Sequence, residues 1–352
     1  MTVKARTPRL AVLLPVYDGE KYVAEAIRSI LDQTFADFDL IAIDDGSTDR
    51  SREILDGFSD SRLRIIRFPE HRGLVTALNR GIRGSRSELI VRMDADDICM
   101  PQRFERQVAF MNAHPEIAVC GTWTRQFGDK GGVLRPPIEP EQIRARLFFE
   151  WAMDHPSIMM RRAFLDRHKL GYDDEFRHVE DLDFFLRASA LGNLANVPEV
   201  LMRTRAHAGE TSIVHRREQA QTEARLRVRQ LRLLMPLVTK MEEEFHIRIM
   251  SGELDPSNLP RAEQWLLRLD QANRERALYD GASFQRELRR QSYRLHAQAI
   301  GAGPLVLTSY RHSPLAARHE IRVREYAALI IRLAIIRLLT VGRACKKWLR
   351  LP

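Results

Sequence analysis

Between residues 9 and 121, short apolar runs alternate with segments of helical period, and this alternation restricts the chain to a small set of folds. Residues 10–14, 38–43, 63–68, 88–93 and 117–120 have the length and apolar content of strands. Residues 23–31, 49–58, 74–82 and 102–114 space their apolar positions as helices do. Repeated strand–helix–strand units predict an α/β fold with a mostly parallel sheet flanked by helices. From 122 to about 210 the pattern is less regular: a loop over 128–140, a short strand at 157–160, a helix near 181–190, and strands near Leu194 and Val200. This reads as the second half of the same domain. Beyond it lie Arg- and Leu-rich segments broken at Pro236, 256–260, 301–304 and Pro314, which predict a C-terminal helical region. The expected division is therefore a domain over 1–210 and a mostly helical region over 211–352.

Two of the strands end in acids. The run 88–93 leads into Asp94-Ala95-Asp96-Asp97, and the run 38–43 leads into Asp44-Asp45-Gly46-Ser47-Thr48-Asp49. Asp94 and Asp96, two residues apart, fall on the same side of a strand end, an arrangement that suits one hard cation. Asp is equally at home in turns and helix N-caps, and that reading stays open for each cluster taken alone. In an open α/β sheet, however, ligands bind outside the carboxyl ends of parallel strands, so both clusters would line one crevice. The first strand opens there onto Pro15-Val16-Tyr17-Asp18-Gly19, adding a backbone bend and an aromatic face.

A chain of 352 residues can bury a large core and exceeds one typical domain. Its three cysteines, Cys99, Cys120 and Cys345, have no paired spacing, which argues against a disulfide framework or a structural zinc site and predicts a reducing cytoplasm. The first nine residues are polar and basic, unlike a signal peptide. The net charge of +9 is uneven: from Thr211 onward there are 26 Lys or Arg against 14 Asp or Glu, leaving 30 against 33 before it. A basic extension on a near-neutral domain predicts attraction to an anionic surface; a solvated arginine face reads the same way. Residues 326–350 form a candidate amphipathic helix, with Arg332, Arg343, Lys346, Lys347 and Arg350 on one face. It is too short and too charged to span a bilayer, but it suits peripheral contact at the inner face of a membrane, a core contact or an oligomer contact.

Taken in order, these motifs resemble those of glycosyltransferase family 2. The resemblance runs through Leu13-Leu14-Pro15-Val16-Tyr17-Asp18-Gly19-Glu20, Ser29-Ile30-Leu31-Asp32-Gln33-Thr34-Phe35 and Ile43-Asp44-Asp45-Gly46-Ser47-Thr48-Asp49. It continues through Gly73-Leu74 with Ala77-Leu78-Asn79-Arg80-Gly81, and Met93-Asp94-Ala95-Asp96-Asp97 before Pro101. His155-Pro156-Ser157, Glu180-Asp181 and Arg205-Ala206-His207 extend it to about residue 210.

The resemblance implies a GT-A type fold and transfer of one sugar, with inversion, from a nucleoside diphosphate sugar to a glycan or lipid-linked acceptor hydroxyl. UDP is the first guess for the nucleotide. Asp96, with Asp94, would hold Mg²⁺ or Mn²⁺ against the diphosphate. Asp45 would bond the base, Pro15, Val16 and Tyr17 would flank the nucleoside, and Asp94 would complete the nucleotide subsite. Asp181 matches the base that takes the acceptor proton, although the acids of 180–183 also suit a helix cap. Glu180 would be an acceptor-side carboxylate. His207, with Arg205, would reach the metal or diphosphate. Two positions depart from the family pattern: His71-Arg72-Gly73 stands where an Asn often precedes the variable residue, and Leu78 where many members carry Arg. The Gln-x-x-Arg-Trp motif of processive polymerases is absent, which favours single-sugar transfer.

The alternatives fit less well. A nucleotidyltransferase needs a Gly-rich basic loop after the first strand, and a hydride-transferring enzyme needs G-x-G-x-x-G there; the chain has Pro15-Val16-Tyr17-Asp18-Gly19-Glu20 instead. A non-catalytic nucleotide-sugar module docked at the membrane would have no need of Asp96 and Asp181. Nucleic-acid binding is not expected, because aromatics are sparse among the C-terminal arginines.

Overall fold

The computed structural model describes residues 7–129, 131–207, 216–317 and 325–336. Contacts divide the chain into two compact units, residues 1–147 with 151–226, and residues 148–150 with 227–352. The first unit is built on a nine-stranded sheet. Its parallel half comprises β1 (Leu10–Val16), β2 (Phe38–Asp44), β3 (Leu63–Arg67) and β4 (Leu89–Arg92), in the order β3-β2-β1-β4. Helices α1 (Val23–Leu31), α2 (Ser51–Asp56) and α3 (Leu74–Gly84) make the crossovers.

The period-2 alternation of β1 distributes its side chains to two cores. Ala11 and Leu13 pack with α3, while Leu10, Val12 and Leu14 pack with α1 and with α4 (Arg103–Ala113). Each fully buried Leu among these stabilises the fold by about 1.5–3 kcal/mol relative to an exposed one.

Beyond β4 the sheet becomes mixed. β8 (Met159–Arg161) runs antiparallel to both β4 and β6 (Ile117–Gly128), β9 (Asn193–Ala206) runs parallel to β6, and the short β5 (Ile98–Cys99) closes the edge against β9. The parallel expectation thus holds for the first four strands. β6 extends to Gly128 and pairs with β7 (Gly132–Leu134), so the loop expected over 128–140 is in part a hairpin. The two strands expected near Leu194 and Val200 are one. Helices α5 (Pro140–Leu147) and α6 (Arg162–His168) were not foreseen, because each is short and mostly polar, leaving too few apolar positions to show a period. α7 (Glu180–Leu191) lies where a helix was expected.

Several residues of the ordered motifs prove to hold elements together. Gln33 accepts from the N–H of Phe104 (3.1 Å) and donates to the carbonyl of Met100 (2.7 Å), tying the end of α1 to the start of α4. Asn79 on α3 exchanges hydrogen bonds with the backbone of Tyr172 at 2.8 and 3.0 Å. A Cβ on Gly81 would stand 2.8 Å from Leu13 Cδ2, so a larger residue there would have to displace the buried ends of Leu13 and Ile43.

The second unit is helical, with Lys240–Ser251, Leu259–Arg276, Gly281–Ala299 and Leu305–His312 as its main described elements. The breaks fall where prolines and glycines predicted them, plus one at Asp280, whose carboxylate caps the helix from Gly281. Phe284, Leu288, Leu266 and Leu269 are buried, and Phe148 meets Phe284 edge to face at 5.5 Å. Within the candidate segment 326–350 the described part is helical over 325–336, with Leu329 and Leu333 buried and Ile330, Ile331 and Ile335 exposed. Residues 337–350 lie outside the described residues. Among the described residues no helix is long and apolar enough to cross a membrane.

The turn after β2 has a sharp steric requirement. Gly46 has φ +76°, and a Cβ there would lie 2.4 Å from the Glu70 carbonyl carbon and 2.5 Å from the His71 nitrogen. Gly46→Ala is expected to cost roughly 2 kcal/mol or more in denaturant unfolding, while Gly131→Ala, with open space around its Cβ, stays within about 0.5 kcal/mol of the parent.

Candidate active site

Because β1, β2 and β4 are parallel neighbours, their carboxyl ends share one edge, and the segments leaving them form a single rim. Along that rim Asp44 is consumed by structure: Arg52 Nε donates to it at 2.9 Å and the N–H of Ser47 at 3.0 Å. Asp45 next to it is also buried. Its two oxygens accept from the N–H groups of Arg72 and Gly73, both at 2.8 Å, and His71 Nδ1 lies 3.0 Å away. Since α3 begins at Leu74, Asp45 satisfies donors at a helix start, and does so at the expected nucleotide edge. The ring of His71 lies on that of Tyr17, with centroids 3.9 Å apart. Tyr17 is half exposed, whereas Val16 is buried in the core, so Val16 presents only backbone to this rim.

The end of β4 is organised by Arg92, a guanidinium 3% exposed that pairs with Asp94 through two contacts of 2.6 Å. Asp94, Asp96 and Asp97 bring one oxygen each to within 4.8 Å of one another. Burial raises the Asp94 carboxyl pKa, Arg92 offsets part of the rise and the charge of Asp96 adds to it. Asp97 is raised well above the usual carboxylate range, by burial first and then by Asp94 and Asp96. Arg205 at the end of β9 fixes this turn: its N–H donates to Asp97 at 2.8 Å, and its Nε donates to the Asp96 carbonyl at 2.9 Å. Its guanidinium lies 4.4 Å from the ring of Tyr22 and 4.5 Å from that of Phe127, and it pairs with Glu25. His207 places Nε2 2.9 Å from Asp96 Oδ2. Imidazole and carboxylates thus converge at the end of β4.

The remaining carboxylates come from the other half of the unit. Asp181, in the first turn of α7, accepts from Trp151 Nε1 at 2.9 Å and from the N–H of Leu182 at 2.7 Å. Burial raises its pKa, and burial together with the Asp181 charge pushes Glu180 up to about 7. Asp154, on the segment before β8, is pushed up to about 6, chiefly by burial. The positive charge of Arg92 acts on Asp94, Asp154, Glu180 and Asp181, most strongly on Asp94, with which it is in contact. His155, by contrast, is a core group: it is buried, bonds Tyr172 at 2.8 Å, and burial holds its pKa well below that of a free imidazole.

Among the residues singled out from sequence, Asp45 and Tyr17 lie together at the β2 end of the rim, and Asp94, Asp96 and His207 at the β4 end. Glu180 and Asp181 share the field of Arg92 with Asp94. Arg205 is engaged with the protein at its N–H, its Nε and its terminal nitrogen, so its role here is to hold the acidic turn. Sequence reasoning did not assign Arg92, Asp97, Trp151 or Asp154. The first had a signal, a lone charge closing the apolar run Leu89-Ile90-Val91. Trp151 and Asp154 sit in an irregular stretch with no period to mark them.

The model of glycosyl transferase family 2 matches residues 11–169. An uncharacterized glycosyltransferase of Haemophilus influenzae is 30% identical over 233 residues, covering 62% of this chain and 72% of that protein. The amylovoran biosynthesis glycosyltransferase AmsE of Erwinia amylovora is 29% identical over 203 residues, covering 56% of this chain and 76% of its own length. In fold, the chain resembles S. aureus TarS 1-349, crystallised in complex with UDP-GlcNAc, with a TM-score of 0.56 and 17% identity over 94% of this chain and 92% of that one. On its motifs, their placement at one sheet edge and these relatives, the chain belongs to glycosyl transferase family 2.

Proposed function

We propose that this glycosyltransferase moves one sugar from a nucleoside diphosphate sugar to an acceptor hydroxyl with inversion at the anomeric carbon, in assembly of a cell-surface polysaccharide or glycan. The observation that carries the reading is the grouping of two kinds of carboxylate, Asp94 on the metal side and Asp181 on the acceptor side, in the field of the buried cation Arg92. AmsE, named for amylovoran biosynthesis, supports the pathway class, and the TarS complex makes UDP-GlcNAc the first donor to try.

The acidic turn fits Mg²⁺ or Mn²⁺. Its oxygens lie close enough to share one ion, an imidazole stands beside Asp96, and both metals accept carboxylate oxygen. When bound, such an ion supplies Lewis acidity toward the leaving diphosphate. Asp96, Asp94 and His207 would hold it, with Arg92 orienting Asp94. Tyr17, Pro15, the backbone of Val16 and Asp45 receive the nucleoside. Asp181 takes the proton of the acceptor hydroxyl as that oxygen attacks; its hydrogen bonds from Trp151 and Leu182 hold it in one orientation, and its raised pKa makes it a better base than a free carboxylate. Glu180 faces the acceptor, a glycan or lipid-linked hydroxyl. The basic C-terminal region contacts the anionic inner face of a membrane, a reading supported by the exposed Ile330, Ile331 and Ile335.

These roles separate in experiment. Asp96→Ala is expected to weaken Mn²⁺-dependent binding of UDP-GlcNAc by about tenfold or more in calorimetry. Asp181→Asn is expected to lower kcat by about 10²–10⁴ while donor Kd stays within about twofold; full transfer by that variant would reject its role as base. Ile331→Glu with Ile335→Glu changes only exposed positions and should reduce co-sedimentation with phosphatidylglycerol vesicles several-fold. Unchanged sedimentation would count against membrane contact.

A further inference from the structure

The carboxylate of Asp154 has one polar side chain to answer it, the hydroxyl of Thr124. The Asp154 backbone carbonyl is occupied, accepting from the N–H of Ser157 at 3.0 Å and from the Ser157 hydroxyl at 2.7 Å. The segment is pinned further along, where the N–H of Arg92 donates to the Ile158 carbonyl at 3.1 Å. Because β8 is antiparallel to β4, with Val91 opposite Met159, residues just before β8 stand beside the carboxyl end of β4, from which Asp94 departs. Within this fixed frame Asp154 Oδ2 is shielded from solvent and accepts no hydrogen bond of ordinary geometry. Next to it, close enough to act on its charge, is the hydroxyl of Thr124, a side chain 0% exposed that likewise makes no hydrogen bond of ordinary geometry.

A buried carboxylate oxygen held only by a poorly aligned hydroxyl is a cost to the fold, and such a cost is most readily tolerated where a ligand supplies a better partner. The position says which part of a ligand that is. Asp154 feels both Asp94, on the diphosphate side, and Asp181, on the acceptor side. In the proposed reaction the group between the departing diphosphate and the attacking hydroxyl is the transferred sugar, whose ring hydroxyls are donors with no other assigned partner.

We infer that Asp154 is a specificity-determining residue that accepts hydrogen bonds from hydroxyls of the transferred sugar, with the Thr124 hydroxyl beside it as a second polar contact. The inference rests on the transferase reading above and assigns a residue to its sugar subsite. Asp154 is neither base nor metal ligand in this role, so it bears on intact donor and leaves the nucleotide alone.

The test compares the full chain with Asp154→Asn and Asp154→Ala. Each is titrated in Mn²⁺ with UDP and GDP, and with UDP-glucose, UDP-galactose, UDP-GlcNAc and GDP-mannose. Both variants are expected to bind the bare nucleotides within about twofold of the parent and the preferred sugar nucleotide about tenfold or more weakly, because a buried polar partner is left unmatched. Ligand-free Asp154→Asn is expected to melt at or above the parent temperature, since it removes an unpaired buried charge. Equal losses for sugar nucleotide and bare nucleotide, no loss for either, or a clear drop in the melting temperature of ligand-free Asp154→Asn would each overturn the assignment while leaving the transferase reading intact. A parent protein that binds none of the nucleotides or sugar nucleotides would overturn that reading, and the Asp154 assignment with it.

Discussion

The pairing of Arg92 with Asp94 is the constraint on which the acidic rim depends. Asp94, Asp97, Asp154, Glu180 and Asp181 are all shifted toward the protonated form, with burial as the largest cause for each. Such a group of like charges repels itself, and Arg92 offsets that repulsion from beneath. Its placement follows from β4, whose last residue points a guanidinium to where three separate segments deliver their acids. Removing one partner of a buried pair typically costs about 3–5 kcal/mol, because the other charge is stranded. The pair therefore does two things: it orients Asp94 toward the turn and makes the crowd of carboxylates tolerable.

Much of the family's motif pattern serves this frame instead of touching the chemistry. Gln33 and Thr34 fasten the chain around Pro101, Thr34 through its N–H on the Pro101 carbonyl at 3.0 Å. Asn79 fixes the loop that carries Tyr172, and Tyr172 in turn holds His155 and stacks on Phe184. Gly81 sets the spacing of α3 on β1. The chemistry-bearing acids sit on short segments between these fastened points, so a small set of packing residues determines where they lie.

How much could be read in advance follows from the same division. The first four strands and the helices between them were legible because both faces of the parallel sheet are covered, so their apolar runs are continuous and the intervening helices have a clear period. The second half was obscure because β6 and β9 leave the core at their far ends, where Arg125, Gln126, Arg203 and Arg205 replace apolar residues. Asp45, Asp94, Asp96 and Asp181 were singled out through ordered motifs. Asp154 and Trp151 could not be found that way, since what marks them is a shielded orphan oxygen in one case and an indole donor 2.9 Å from Asp181 in the other. Neither property leaves a trace in composition or spacing.

The ring of His71, resting on Tyr17 with Nδ1 3.0 Å from Asp45 Oδ2, bears on the nucleotide seat proposed here. In the proposed reading, an arriving base would meet a stacking face and a carboxylate already engaged by an imidazole from the same chain. Its net gain would then be the difference between two aromatic partners competing for one seat, and discrimination between bases would be set by how well each outcompetes that resident ring.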